Sequence, residues 1–136
     1  MRREVFDRAM ACVLALDGDA YADLFTEDGV LELPFSSKIG LPTRVEGREA
    51  IRTLAGANMK RARDAGRRMV RFDPLVVHEG VDPEVLIVEL TAHGETATGQ
   101  PYAAPYVHVY RIRDDQIASL RDYISSEHVA AIVASG

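Results

Sequence analysis

The residues able to move a proton gather in one stretch, Tyr106–Ser125, written YVHVYRIRDDQIASLRDYIS. It holds His108, Arg121, Asp122 and the tyrosines Tyr106, Tyr110 and Tyr123. An imidazole exchanges protons near neutral pH, and a carboxylate beside it can act as its complementary acid or base. In apolar surroundings a carboxylate becomes a stronger base, and a neighbouring imidazole separates the two titrations. That pairing suits proton transfer next to a carbonyl: enolisation, aldol-type ring closure or dehydration. The expected catalytic residues are therefore Asp122 and His108.

Whether the two meet depends on local structure. The stretch alternates apolar and polar residues, breaks at Arg113–Gln116 and alternates again, which is a β-hairpin pattern. A two-residue turn at Asp114-Asp115 would set His108 opposite Arg121 and send Asp122 to the other face. A three-residue loop with a bulge would set His108 opposite Asp122. A slip of one residue inverts every side chain. Asp-Asp is a poor sequence for a tight primed turn, so the bulged loop is the expectation. Tyr106, His108, Tyr110, Leu120, Asp122 and Ile124 would then share one face.

The remaining elements must supply the rest of that face. Phe6, Ala9, Met10, Val13 and Leu16 give Arg2–Leu16 a helical stripe. Asp19 offers an N-cap for a short second helix, with Tyr21, Leu24 and Phe25 inward. Thr26-Glu27-Asp28-Gly29 reads as a turn and Val30–Phe35 as a strand. The segment 36–44 is either a flap over a cavity mouth or an ordinary surface loop. Arg48–Ala65 is the longest helix, stopped by Gly66. On its apolar stripe (Ile51, Leu54, Ala55, Met59, Ala62) Asn58 is the one polar residue. It either bonds to backbone or faces a cavity. Met69–Val77 and Val85–Glu95 read as strands, the first carrying Pro74 as a sign of a bulge or an edge. Glu89 falls with Val85, Ile87 and Thr91; it is either a pocket carboxylate or an outer-face residue. His128–Val133 suggests a final helical turn. The order predicts a single α+β domain over residues 1–136: a curved antiparallel sheet with helices on one face.

Composition narrows the classes. The 136 residues are 47% hydrophobic and 27% charged, enough for a core of real size. The net charge of −5 argues against a nucleic-acid partner. Of sixteen basic residues, nine lie between Arg44 and Arg71, where the simplest reading is the solvated face of a helix. No apolar run approaches the ~20 residues needed to span a bilayer, so no membrane partner and a cytoplasmic location are expected. The one cysteine, Cys12, sits in the first helical stripe as a small core hydrophobe. The histidines His78, His93, His108 and His128 lack a ligand spacing, and no metal or cofactor is expected.

The element order and three motifs resemble the SnoaL-like branch of the nuclear transport factor 2-like superfamily. The motifs are Gly18-Asp19…Leu24-Phe25-Thr26-Glu27-Asp28, Glu46-Gly47-Arg48-Glu49-Ala50-Ile51, and Gln116-Ile117 with Arg121-Asp122-Tyr123. The resemblance implies a sheet wrapped around three N-terminal helices as a cone with an apolar cavity, a cystatin-like α+β barrel. It also implies a homodimer formed through the outer sheet face. By the same resemblance Leu33 stands where ketosteroid isomerase carries its carboxylate, and Ala11 near its oxyanion tyrosine. Asp122 matches the catalytic aspartate of limonene epoxide hydrolase, but Leu31, Leu33, Glu89 and Thr91 replace its partners. Neither of those two mechanisms is expected. The implied activity is cofactor-independent isomerisation, cyclisation or dehydration of a hydrophobic carbonyl compound such as a polyketide-like intermediate. The alternative is a non-catalytic module for binding a hydrophobic ligand or for dimerising. The expected substrate contacts are Tyr106, Tyr110, Glu89, Leu120, Ile124, Leu33 and Asn58.

Overall fold

Strict alternation makes β4, Val85–Glu95, a two-faced strand: Leu86, Val88, Leu90 and Ala92 are buried, while Ile87, Glu89 and Thr91 look the other way. Each fully buried aliphatic side chain contributes roughly 1.5–3 kcal/mol. The computed structural model describes residues 2–135. Around β4 run β3 (Arg68–Glu79), β5 (Pro101–Arg113) and β6 (Gln116–Ile124), antiparallel in succession. β1 (Phe25–Glu32) follows β6, and β2 (Arg44–Glu46) completes the order β2-β1-β6-β5-β4-β3. The expected α+β fold is present, with one correction. β1 pairs parallel to β6, so the sheet is mixed, and it runs open from one edge strand to the other.

One face of the sheet shares its core with α1 (Arg2–Leu14), α2 (Gly18–Asp23) and α3 (Arg48–Asp64). From α1, Val5, Phe6, Ala9 and Met10 enter the core, and the Phe6 ring meets Tyr110 edge-on at 5.7 Å. α2 is capped by Asp17, whose carboxylate accepts from the Ala20 amide at 3.0 Å; Asp19 lies inside the helix rather than at its cap. At Gly18 an added Cβ would stand 2.9 Å from the Gly56 backbone, so glycine lets α2 approach α3. Gly66, at φ +71°, stops α3 as its sequence position predicts. After β6 comes α4 (Ser126–Ser135).

One further departure and two details have local causes. Thr26–Gly29 is no turn. It bulges out of β1, where the register against β6 shifts between Phe25 and Val30. The segment 36–44 contains a short 3₁₀ turn, Ser37–Ile39. It is tied down by the buried Ser36, whose hydroxyl lies 2.7 Å from the Leu33 carbonyl and 2.9 Å from that of Pro42. Pro74 sits on the edge strand β3 and beside a register shift between Phe72 and Leu75. Among the described residues no helix is long and apolar enough to cross a membrane.

Candidate active site

The β5–β6 hairpin brings His108 and Asp122 directly opposite each other. It does so by a route other than the one expected. Arg113 pairs with Gln116 and Ile112 with Ile117, so the connection is a tight two-residue turn. Asp114 (φ +48°) and Asp115 (φ +61°) both take the left-handed region that a primed turn demands, which aspartate tolerates better than most residues. The bulge lies further along β6. Arg111 pairs with Ser119, leaving Ala118 as an extra residue without a partner across the strand. That one residue resets the faces. Ile117, Leu120 and Ile124 are all buried although Ile117 and Leu120 are three apart.

His108 Nε2 lies 3.2 Å from Asp122 Oδ1, with side chains 9% and 19% exposed. Oδ1 is buried and accepts no hydrogen bond from the protein. On the other side of the ring, His108 Nδ1 is 3.3 Å from the Tyr110 hydroxyl. Tyr106 and Tyr110 flank the imidazole edge-on, at 5.8 and 5.7 Å between ring centres. The Tyr106 phenol is pushed above its ordinary value by burial first and then by the charge of Asp122. The Tyr21 phenol rises for the same two reasons in the same order. The carboxylate is thus felt by hydroxyls from α2 and β5 alike. Tyr21 belongs to this cluster and was absent from the expected set. Its signal in the sequence was its inward position on α2.

The expected contact residues divide. Leu33, Leu120 and Ile124 are buried at 6%, 1% and 6% exposure, beneath or beside the pair. Tyr106 is half-buried beside it. Tyr110 is fully buried and reaches the site through His108. Glu89 does not face the His108–Asp122 pair; it lines a groove on the opposite face of the sheet. Its neighbours Val88 and Leu90 point inward, so it stands on the outer face, exposed, 2.7 Å from His78. Asn58 does not face the pair either; its amide oxygen takes a hydrogen bond from Arg61 on the exposed side of α3.

A concavity away from the pair also differs from expectation. It is an open groove of about 620 Å³ on the outer face of the sheet, lined by Phe35, Pro74, Val76, Val107 and Tyr123, among others. Elsewhere, four of the nine residues of the basic stretch are paired with acids. Arg44 pairs with Glu32 and Glu46, Arg52 with Asp19, Asp23 and Glu49, Lys60 with Asp64, and Arg68 with Glu95. Among the described residues no three His, Cys, Asp or Glu side chains gather to hold a metal ion.

Comparison with known proteins agrees with this architecture. The family model for the SnoaL-like domain matches residues 6–120. An uncharacterized PhzA/B-like protein of Pseudomonas aeruginosa is 38% identical over 79% of this chain and 73% of its own. A solved Bacillus subtilis structure, provisionally named an isomerase, is 28% identical with a TM-score of 0.84, covering 98% of this chain and 92% of that one. A Pseudomonas putida structure, provisionally named a polyketide cyclase, shares the fold at 23% identity and a TM-score of 0.68, over 94% of each chain. The chain belongs to the SnoaL-like family.

Proposed function

We propose that this SnoaL-like domain is a small-molecule enzyme that moves protons without a cofactor. Its reaction would be isomerisation, aldol-type cyclisation or dehydration of a hydrophobic, carbonyl-bearing compound such as a polyketide-like intermediate. One observation carries the reading: Asp122 Oδ1 is buried, accepts no hydrogen bond, and lies 3.2 Å from an imidazole nitrogen. A buried acceptor left unmet costs about 1–3 kcal/mol. Such a cost is tolerated where a proton or a ligand donor is to arrive. The names given to the Pseudomonas putida and Bacillus subtilis structures support the same class.

In the proposed step the Asp122 carboxylate takes a proton from the carbon beside the substrate carbonyl. The C–H electron pair becomes the enolate, and its charge collects on the carbonyl oxygen. Tyr21 and Tyr106 would donate to that oxygen, because burial and the Asp122 charge keep their hydroxyls protonated. Return of the proton to another carbon completes an isomerisation; attack of the enolate on a second carbonyl completes a cyclisation.

The test is exchange of α-protons for deuterium in a panel of hydrophobic 1,3-diketones, followed by NMR in D₂O. The wild-type chain is expected to accelerate exchange, and Asp122→Asn to lower the rate by about 10²–10⁴-fold. Binding of the diketones with no exchange above background would instead identify a hydrophobic-ligand-binding module.

A homodimer formed through the outer sheet face belongs to the same proposal. The apolar groove there, with Phe35 58% and Val76 45% exposed, supports it. Light scattering should give twice the chain mass, and Val76→Asp should halve it.

A further inference from the structure

We infer that Tyr110 is a positioning residue that fixes which nitrogen of His108 carries the proton, and so makes Asp122 rather than His108 the base of the site. The inference rests on the acid/base reading above and assigns the roles within it.

A carboxylate can only accept hydrogen bonds. The nitrogen 3.2 Å from Asp122 Oδ1 is Nε2, so the arrangement is favourable when Nε2 bears the hydrogen. A neutral imidazole then has one lone pair left, on Nδ1. The Tyr110 hydroxyl stands 3.3 Å from that atom. Tyr110 is 0% exposed, so its hydroxyl hydrogen has no water to meet and goes to Nδ1. Its ring is held in turn by Phe6, edge-on at 5.7 Å, which leaves the phenol little freedom to turn away. Burial, with the charges of Tyr21 and Asp122 added, pushes the Tyr110 phenol well above its ordinary value, so it retains the proton it donates.

The chemical consequence is a division of labour. The lone pair of His108 is engaged by Tyr110 and cannot receive a substrate proton. The acceptor left open is Asp122 Oδ1. The Nε2–H edge of His108 stands 3.2 Å from Oδ1 without a hydrogen bond to it, so its positive end faces the carboxylate while the oxygen stays free to accept. Tyr110 touches no substrate in this scheme and acts through the imidazole alone.

The experiment uses the full chain labelled with ¹⁵N-histidine near neutral pH, with the His108 signals identified by their loss in His108→Phe. Wild type should show an acceptor-type Nδ1 shift and a protonated Nε2. In Tyr110→Phe the Nδ1 acceptor loses its donor, and the tautomer ratio should move toward Nδ1–H by at least several-fold. The exchange rate should fall roughly 10–100-fold, by analogy with removal of the partner that orients a metal-bound histidine. An Nδ1–H tautomer or an imidazolium in wild type would overturn the inference, as would a Tyr110→Phe chain that folds and keeps the wild-type tautomer. If Tyr110→Phe does not fold, Asp122→Ala decides: a tautomer that persists without the carboxylate is held by Tyr110, and one that reverts to Nδ1–H overturns the inference. A chain with the assigned tautomer but no exchange activity sinks the enzyme proposal and leaves this one standing. An active chain with the opposite tautomer does the reverse.

Discussion

The two faces of the sheet each carry a histidine beside a carboxylate, and the pairs are alike in almost everything except their surroundings. On the inner face His108 and Asp122 stand 3.2 Å apart with side chains 9% and 19% exposed. On the outer face His78 and Glu89 stand 2.7 Å apart with side chains 50% and 58% exposed. The outer pair is closer and better bonded, yet water screens it, and exposed ion pairs are worth about 0–1 kcal/mol. The inner pair is looser, but it sits among phenols and aliphatic side chains, where each charge acts more strongly. Distance alone would choose the wrong pair. Burial and an unmet acceptor choose the inner one.

The strongest way to break this contrast is to exchange the faces. Inserting one alanine between Leu120 and Arg121 would turn Arg121 inward and Asp122 outward. Placing an unpaired guanidinium in the core should cost several kcal/mol, about the size of other uncompensated buried charges. The expected result is a large fall in the thermal midpoint and complete loss of α-proton exchange. Retention of activity would mean that Asp122 does not act from the inner face.

A milder break leaves the faces in place. Asp122→Asn is expected to remove the proton acceptor and nearly all of the exchange rate, while the fold persists by circular dichroism. The inner face can then be sharpened by alkali. Tyr21, Tyr106 and Tyr110 all have phenols raised above the free value by burial, so folding favours their neutral forms. Stability from this source is complete below the unfolded phenol value of ~10. It is lost as pH climbs from there toward the raised folded values. Tyrosinate absorbance from these residues should therefore appear together with unfolding rather than ahead of it. Their early ionisation in a folded chain would show that the inner face is wet. The smallest effect belongs outside: Glu89→Gln should change stability by less than about 1 kcal/mol and leave exchange unaltered. A loss of activity in that variant would erase the distinction between the two pairs.

The sequence made some of this legible because the relevant physics is local. The alternation of Val85–Glu95 marks β4 at both ends, and Gly66 marks the stop of α3. Pro74 announces an edge strand with a bulge. What stayed hidden depends on distant partners. The parallel pairing of β1 with β6 joins segments about ninety residues apart, as in Leu31 with Leu120, and no local pattern reports direction. The facing of His108 and Asp122 was legible, but its cause was not. Asp114-Asp115 adopts the tight turn that its residue types disfavour, and Ala118 then supplies the extra residue that restores the register. An alanine carries no sign that it will bulge. Glu89 could be read either way until the inward neighbours Val88 and Leu90 fixed its face. Asn58 misled because a helical stripe is broader than the part of it that is covered.

The two margins of the sheet bear on how this chain avoids sticking to itself. β2 is three residues long. β3 is interrupted twice in register, and Pro74 within it has no amide hydrogen to offer. Neither margin presents the long, flat row of free amides and carbonyls on which a stray strand could grow a fibril. Charged side chains at Arg68, Arg71, Asp73 and Glu79 guard the β3 margin further. Folded copies of the chain can therefore crowd together with few ways to zip edge to edge, so that a concentrated solution of the native protein has little from which a shared sheet could start.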